Sequence, residues 1–560
     1  MGYINKKSTA VKGFRKNAHQ NWMGGPSYDL SNPIFRLRLA ASSCFFGEPM
    51  YYQKDDEDKR STKASAETSS LEDFQLKYLR TTLNAVDPQE WRSYTPAQLL
   101  EKTIDEAITK DPIATLELAV LLRNEEHIRT TPQVIMVRFA NHPSIKGTGL
   151  GAEYLSTYAS HIMTRGDEPA VQLAYQIAAF GRKKIPNALK KAWRYYLQNA
   201  SKYDLAKYKM ASRTVKTVDV MNLVHPKSEL IDLLAKGKLK LDEELETWES
   251  LISREGSNKE TWTKAIDVMG HMALLRNIRN FLTHKIDPHV FMPKLLAGVE
   301  KGHQLPFRYY SAYKAIKEEG NVSPYVIDTL EECLIQSFKN SPQFKGNVMS
   351  LCDNSGSAHG TMTSAMGSMK VSDIANLTAV FTGYLADVGY VGVFGDRLNK
   401  IPIRKKASVF DQIEEANRAA ENIGQSTEHG IWLFWDQAIK NKEHWDSVFI
   451  YSDMQAGHGG LYGNGISYPN FYWPTKGSYG SRSERYIDVP KLIDTYRKEV
   501  NPDVKVYCVQ VAGYQDSIVP EFYKKTYILG GWGEGIFRFA KEMENLNSKD
   551  PNKNEIATSQ

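Results

Sequence analysis

The sequence predicts a multidomain chain in which an all-α domain of stacked helices is followed by an α/β domain with a doubly wound sheet. Three observations carry this. Between about residues 72 and 340 apolar residues recur at helical spacing, and no strand pattern interrupts them. After about residue 344 short apolar runs alternate with helical stretches. The first of those runs ends in Asp353, with Ser355 and Ser357 at alternate positions beyond it. A chain of 560 residues is also too long for one ordinary core.

Taken in order, residues 1–30 read as a flexible N-terminal arm. Residues 31–343 form the helical domain, apart from a disordered loop at 53–70 that is charged and lacks apolar periodicity. Leu100, Ile104, Ala107 and Ile108 share a helical face, as do Leu116, Leu118, Ala119, Leu121 and Leu122. Breaks at Asp111-Pro112, Thr131-Pro132, Ile185-Pro186, His225-Pro226 and Leu305-Pro306 punctuate the helices. Many helices joined by short turns predict a helical-repeat solenoid, on pattern alone, because no fixed period is present. In the α/β domain, 344–541, strands are expected at 348–352, 388–394, 447–451 and 504–511. Helices are expected at 371–386, 409–422 and 430–441. That alternation predicts a parallel sheet covered on both faces, with ligands at the carboxyl ends of its strands. Residues 542–560 read as a tail.

Composition fits a globular chain, 41% hydrophobic and 24% charged. No run of 18 apolar residues predicts a membrane span. The N-terminus is basic without an apolar core, unlike a secretory signal. Cys44, Cys333, Cys352 and Cys508 are scattered, which fits a reducing, cytoplasmic setting. The net charge of +6 is unevenly spread. Residues 181–227 hold twelve Lys/Arg against Asp204 and Asp219, a local +10 on an otherwise slightly acidic chain. Such asymmetry points to a polyanionic partner.

A strand that stops at Asp353 gathers one carboxylate and the hydroxyls of Ser355 and Ser357 around a point. These hard oxygen donors suit Mg²⁺ or Mn²⁺. The simpler alternative is a polar turn with a serine N-cap. A phosphotransferase aspartate is a further alternative, although position 355 is serine where that chemistry usually wants a second carboxylate. The 447–451 run is followed by Ser452 and Asp453, and Thr427 offers a hydroxyl from an intervening loop. No general base is evident, so bond-breaking chemistry is not expected. Residues 454–485 form a long Gly/aromatic stretch, read either as an insertion packed on itself or as a platform beside the metal.

In the basic segment, Leu189, Ala192, Trp193, Tyr196 and Leu197 share one helical face and should be core. Lys190, Lys191 and Arg194 share another. Lys207, Lys209, Arg213, Lys216 and His225 follow, interleaved with tyrosines. Cations with aromatics suit an RNA surface, and a solvated basic face is the alternative.

The strand-end Asp-x-Ser-x-Ser, the loop Thr and the second strand-end Asp resemble the metal-ion-dependent adhesion site (MIDAS) of von Willebrand factor A domains. The resemblance implies direct Mg²⁺ or Mn²⁺ contacts from Ser355, Ser357 and Thr427, with Asp353 and Asp453 often acting through water. A coordination position is then left for a partner's carboxylate or phosphate.

Most of the chain also resembles the TROVE-domain, or Ro autoantigen, family. Leu37-Arg38 through Phe45-Phe46-Gly47 and Tyr51-Tyr52 carries part of the likeness, as do 187–192 and Lys207-Tyr208-Lys209 with 220–227. Met272 to Asn277 with Trp262 upstream, and Pro306-Phe307-Arg308, complete it. The stretch after Lys209 departs from the family's aromatic-Ser-His step. The resemblance implies a HEAT-like helical-repeat ring closed by a von Willebrand factor A (Rossmann-like) domain, acting as a monomer without catalysis. It implies binding of Y-like RNA and of misfolded noncoding RNA through single-stranded 3′ ends. It also implies work alongside an exoribonuclease such as polynucleotide phosphorylase. By this likeness Lys207, Lys209, Arg213 and His225 would contact RNA, with charge from Lys190, Lys191 and Arg194.

Overall fold

In a computed structural model of the chain, the described residues are 18–20, 26–43, 96–208, 215–239, 247–318, 320, 322–339, 341–360, 370–424, 428–454, 488–512, 516–519, 523–531, 533 and 535–549. The 53–70 loop and the 454–485 stretch beyond Met454 lie outside them. The chain divides into two compact units, Phe45–Phe338 and Met1–Cys44 with Lys339–Gln560.

The helical unit follows its sequence pattern closely. Asp111, at one of the predicted breaks, and Asn258 are helix caps, which satisfy amides that a helix start leaves without partners. Asp111 accepts from Ala114 N at 3.0 Å and opens Pro112–Asn124; Asn258 accepts from Thr261 N at 3.0 Å and opens Lys259–Val268. Leu100, Ile104, Ala107 and Ile108 of Pro96–Lys110 are all buried. Leu116, Leu118, Ala119 and Leu122 are buried as well. A ladder of buried amides runs beneath the apolar packing. The Trp193 indole donates to Gln172 Oε1 at 2.7 Å, Gln172 Nε2 donates to Gln133 Oε1 at 2.6 Å, and Gln133 Nε2 donates to Ile162 O at 3.0 Å. These bonds link helices Thr130–Asn141, Glu168–Phe180 and Asn187–Asn199. Far along the chain, the rings of His127 and His303 meet with centroids 4.3 Å apart and planes tilted by 32°, so segments distant in sequence meet within this unit.

The second unit is built on a six-stranded sheet. We number its strands with those of a small accessory sheet: β1 Ala18–Gln20, β2 Pro26–Asp29, β3 Phe344–Asp353, β4 Ala386–Phe394, β5 Leu398–Pro402, β6 Ser447–Ser452, β7 Lys505–Gln510, β8 Asp516–Ser517 and β9 Thr526–Gly530. The main sheet runs β5-β4-β3-β6-β7-β9, and β1, β2 and β8 form the other. All four expected strands are present, with β5 and β9 in addition. The main sheet is mixed: β5 lies antiparallel on β4 at one edge, and the remaining pairings are parallel. β5 carries little apolar signal in the sequence, with only Ile401 of its 398–402 span well buried. Cys333, Cys352 and Cys508 are buried free thiols.

Three boundaries move. Residues 18–20 and 26–29, expected in a flexible arm, are strands, because β2 pairs with β8 far along the chain. Helix Pro33–Ser43, assigned by its place in the chain to the helical domain, belongs to the α/β unit. Its Leu37, Leu39, Ala40 and Ala41 are buried, and Arg38 lies 3.9 Å over the Phe539 ring. Helix Gly535–Lys549 runs past the expected limit at 541. Glu544 holds it there, accepting from Lys505 Nζ at 2.6 Å and from the Tyr507 hydroxyl.

Candidate metal centre and candidate nucleic-acid interface

The strand order sets the first site. From β3 the chain moves outward to β4 and β5, then returns to β6 on the other side. The carboxyl ends of β3 and β6 therefore flank the reversal point, where doubly wound sheets bind ligands. Register brings Cys352 opposite Tyr451, so Asp353 emerges level with Ser452 and Asp453 follows one residue beyond. Both are buried.

Asp353 Oδ1 accepts from Ser355 N at 2.9 Å, and its Oδ2 accepts from Ser452 Oγ at 2.6 Å. Burial, and then the charge of Asp453, hold its carboxyl above the usual carboxylate range. Gln510 Nε2 donates to Asp453 O at 3.1 Å and fixes the second strand end. Ser357 lies within the short helix Gly356–Gly360. Thr427 falls outside the described residues, but its loop begins at Gly424. There φ is +87°, and a Cβ would sit 2.1 Å from Asp396 Oδ2, so glycine is required.

The donor set fits a hard divalent cation. Two buried carboxylates raise each other's cost, and hydroxyls of Ser355 and Ser452 stand beside them; a cation offsets that repulsion. Ser452 is a contributor that the sequence reading passed over, although it precedes Asp453. So is an amide relay. Asn354 Nδ2 donates to Asn376 Oδ1 at 2.7 Å, and Asn376 Nδ2 donates to Asn417 Oδ1 at 2.8 Å. The signal was available, since an asparagine inside the apolar helix Val371–Tyr384 needs a buried partner.

The basic residues are placed as follows. Helix Asn187–Asn199 buries Leu189, Ala192, Trp193 and Leu197, with Tyr196 half-buried. Lys191 and Arg194 are exposed and Lys190 half-buried. Arg194 Nε donates to Val224 O at 2.5 Å and Gln198 Nε2 to Lys227 O at 3.3 Å. These bonds bring Arg194 beside the end of helix Thr217–Val224, where exposed His225 forms a left-handed cap at φ +50°. Lys216 is exposed at the start of that helix.

Lys207 is tied inward. It donates to Tyr203 Oη at 2.6 Å and lies over the rings of Tyr203 and Tyr208 at 5.0 and 5.6 Å. Arg165 covers Tyr208 at 4.6 Å. Burial opposes the Lys207 charge, but the tyrosines outweigh it and leave its pKa raised. Lys209 and Arg213 lie outside the described residues. Of the other residues that carried the likeness, Asn277 is buried, donating to Ala273 O at 2.8 Å, while Arg276 is exposed.

An α/β unit with paired carboxylates at its reversal point and a helical unit with a basic face define the class. Residues 227–322 match the TROVE domain model. Among solved structures, the RO (RSR) protein of Deinococcus radiodurans is similar at 14% identity and a TM-score of 0.48, covering 91% of this chain and 99% of that one. No curated protein matches. No described helix is long and apolar enough to cross a membrane.

Proposed function

We propose that this chain is a non-catalytic RNA-binding protein of the Ro type. In this reading its helical unit is a HEAT-like ring, its α/β unit is a von Willebrand factor A domain, and it works in the cytoplasm. It takes up Y-like and misfolded noncoding RNAs with single-stranded 3′ ends for quality control or decay. The observation that carries the reading is the surface joined by the Arg194–Val224 and Gln198–Lys227 bonds, where Lys191, Arg194, His225 and Lys227 are all exposed. Cations collected there release counterions from a phosphate backbone. The ring contact of His127 with His303 supports the ring, since it requires the helical array to curve back.

The test is a titration of hairpin RNA with a single-stranded tail against duplex DNA at several salt concentrations. Tailed RNA should bind more tightly, with affinity falling by about 0.7 log unit per log unit of salt for each phosphate neutralised. Equal affinity for the two would overturn the reading.

The buried pair of Asp353 and Asp453 favours a second, compatible role. Asp353, Ser355, Ser357, Thr427 and Asp453 would hold Mg²⁺ or Mn²⁺, which supplies positive charge and an open position for a partner's carboxylate. An exoribonuclease such as polynucleotide phosphorylase is the class of partner that RNA decay requires. Partners captured by the wild type and lost on Asp353→Ala or with chelator, at unchanged RNA affinity, would establish this role. Capture indifferent to both would remove it.

A further inference from the structure

The most exposed large hydrophobic side chain among the described residues is Tyr195, at 65%. The next are Val290 and Val388 at 46%. Tyr195 lies on helix Asn187–Asn199, one turn beyond Lys191 and next to Arg194. That helix contains three cations and no acidic residue. Its buried face is fixed twice, by the Trp193–Gln172 bond below and by the Arg194–Val224 bond at the side. The backbone under Tyr195 is therefore set, and its own carbonyl accepts from Asn199 Nδ2 at 2.8 Å. Only two side-chain torsions remain to be ordered.

The ring contributes little to the core at that exposure. It is a flat aromatic face held in a positive field. Two cationic side chains on the same turn can hold successive phosphates, which sets a sugar and base over the ring between them. A duplex keeps its bases stacked inside and presents none to such a ring. An unpaired nucleotide has a free π-face and pairs with it.

We propose that Tyr195 is a stacking platform for an unpaired base of bound RNA, with Lys191 and Arg194 gripping the flanking phosphates. The inference rests on the RNA-binding reading above, which already favours tailed RNA, and adds the residue that makes this choice: Tyr195, by stacking on an unpaired base. Charge alone does not discriminate in that direction, since a duplex carries the denser array of phosphates.

The experiment uses the full chain with two labelled RNAs, a hairpin carrying a single-stranded tail and a blunt duplex of equal length. Fluorescence anisotropy gives the ratio of their affinities for the wild type, Tyr195→Ala, Tyr195→Phe and Lys191→Ala. Loss of one stacked base lowers the ratio of tailed to duplex affinity roughly 5- to 100-fold in Tyr195→Ala. Tyr195→Phe keeps the ratio, because stacking needs the ring and not the hydroxyl. Lys191→Ala flattens the salt dependence of tailed-RNA binding instead. A 5-iodouridine in the tail should also photocrosslink to Tyr195. An unaltered ratio in Tyr195→Ala overturns the proposal while leaving the basic surface as an RNA site. Equal loss from alanine and phenylalanine overturns it too. If the wild type binds neither RNA, the RNA-binding reading falls first and takes this one with it. If an acidic peptide displaces tailed RNA from Tyr195→Ala and wild type alike and the crosslink fails, the ring serves a protein partner and the proposal is wrong.

Discussion

Replacing Gln172 by leucine tests whether the buried amide ladder holds the basic helix in place. Gln172 is fully buried and makes both a donated and an accepted bond. Leucine has nearly the same volume, so no cavity term is added. The change leaves the Trp193 indole N–H and Gln133 Oε1 without those partners in a dry interior. Each orphaned group costs about 1–3 kcal/mol, and the leucine recovers a fraction through its own burial, for a net loss of about 3 kcal/mol. Urea unfolding followed by helical circular dichroism measures it. Trp193→Phe alone orphans only Gln172 Oε1 and shrinks the side chain. In the double variant the indole N–H and Gln172 Oε1 are both gone, and only Gln133 Oε1 stays unpaired. The double variant should therefore cost less than the sum of the singles by about 2 kcal/mol. Additive singles, or a Gln172→Leu loss within about 0.5 kcal/mol, would refute the view that these bonds anchor helix Asn187–Asn199.

Two further outcomes are expected. In chelated protein at pH 8, Asp353→Asn should be more stable than wild type by about 1–3 kcal/mol, because it removes one of two buried like charges. Added Mg²⁺ should raise the wild-type melting temperature and leave the variant's unmoved; a variant less stable than chelated wild type contradicts the carboxylate pairing. His271 sets a pH dependence. It shares a hydrogen bond with Tyr309 Oη at 2.8 Å, and burial holds its pKa down at about 4. The unfolded imidazole takes a proton near the ordinary value of about 6.5, so between these limits the unfolded state binds more protons and stability falls as pH falls. The ring is half-buried, and screening leaves about 2 kcal/mol of this effect. His271→Gln should flatten the stability curve between pH 7 and 4, and an unchanged slope in urea unfolding would assign the acid sensitivity elsewhere.

The sequence made the periodic parts of the fold legible and left its long-range partnerships hidden. Leu100, Ile104, Ala107 and Ile108 announced a buried face because helical spacing is local information. Val348 and Leu351 announced a strand for the same reason, and Asp353 was legible as its carboxyl end. The pairing of β2 with β8 depends on residues nearly 490 positions apart. No window sees it, and strands of four and two residues have no periodicity to read. Helix Pro33–Ser43 was not legible as part of the α/β unit, since a packing partner is not written in the segment itself. Asn376 was legible as an asparagine that needs a buried partner, but Asn354 and Asn417 were not legible as the partners it finds.

That relay bears on how the carboxylate end is built. Asn354 sits between Asp353 and Ser355, and its buried amide is bound on one side to Cys352 O at 3.1 Å and on the other to Asn376. Asn376 reaches in turn to Asn417 on Val409–Glu421, the helix that leads to Gly424 and the Thr427 loop. A turn held only by its own backbone would open to relieve the repulsion between Asp353 and Asp453. Here the turn after Asp353 is tied by amide bonds to two adjacent helices, while Ser452 bridges from the other strand to Asp353. The electrostatic strain thus has no cheap route of escape through backbone movement. A divalent cation would relieve it directly, and preorganisation of this kind lowers the ordering cost of binding one.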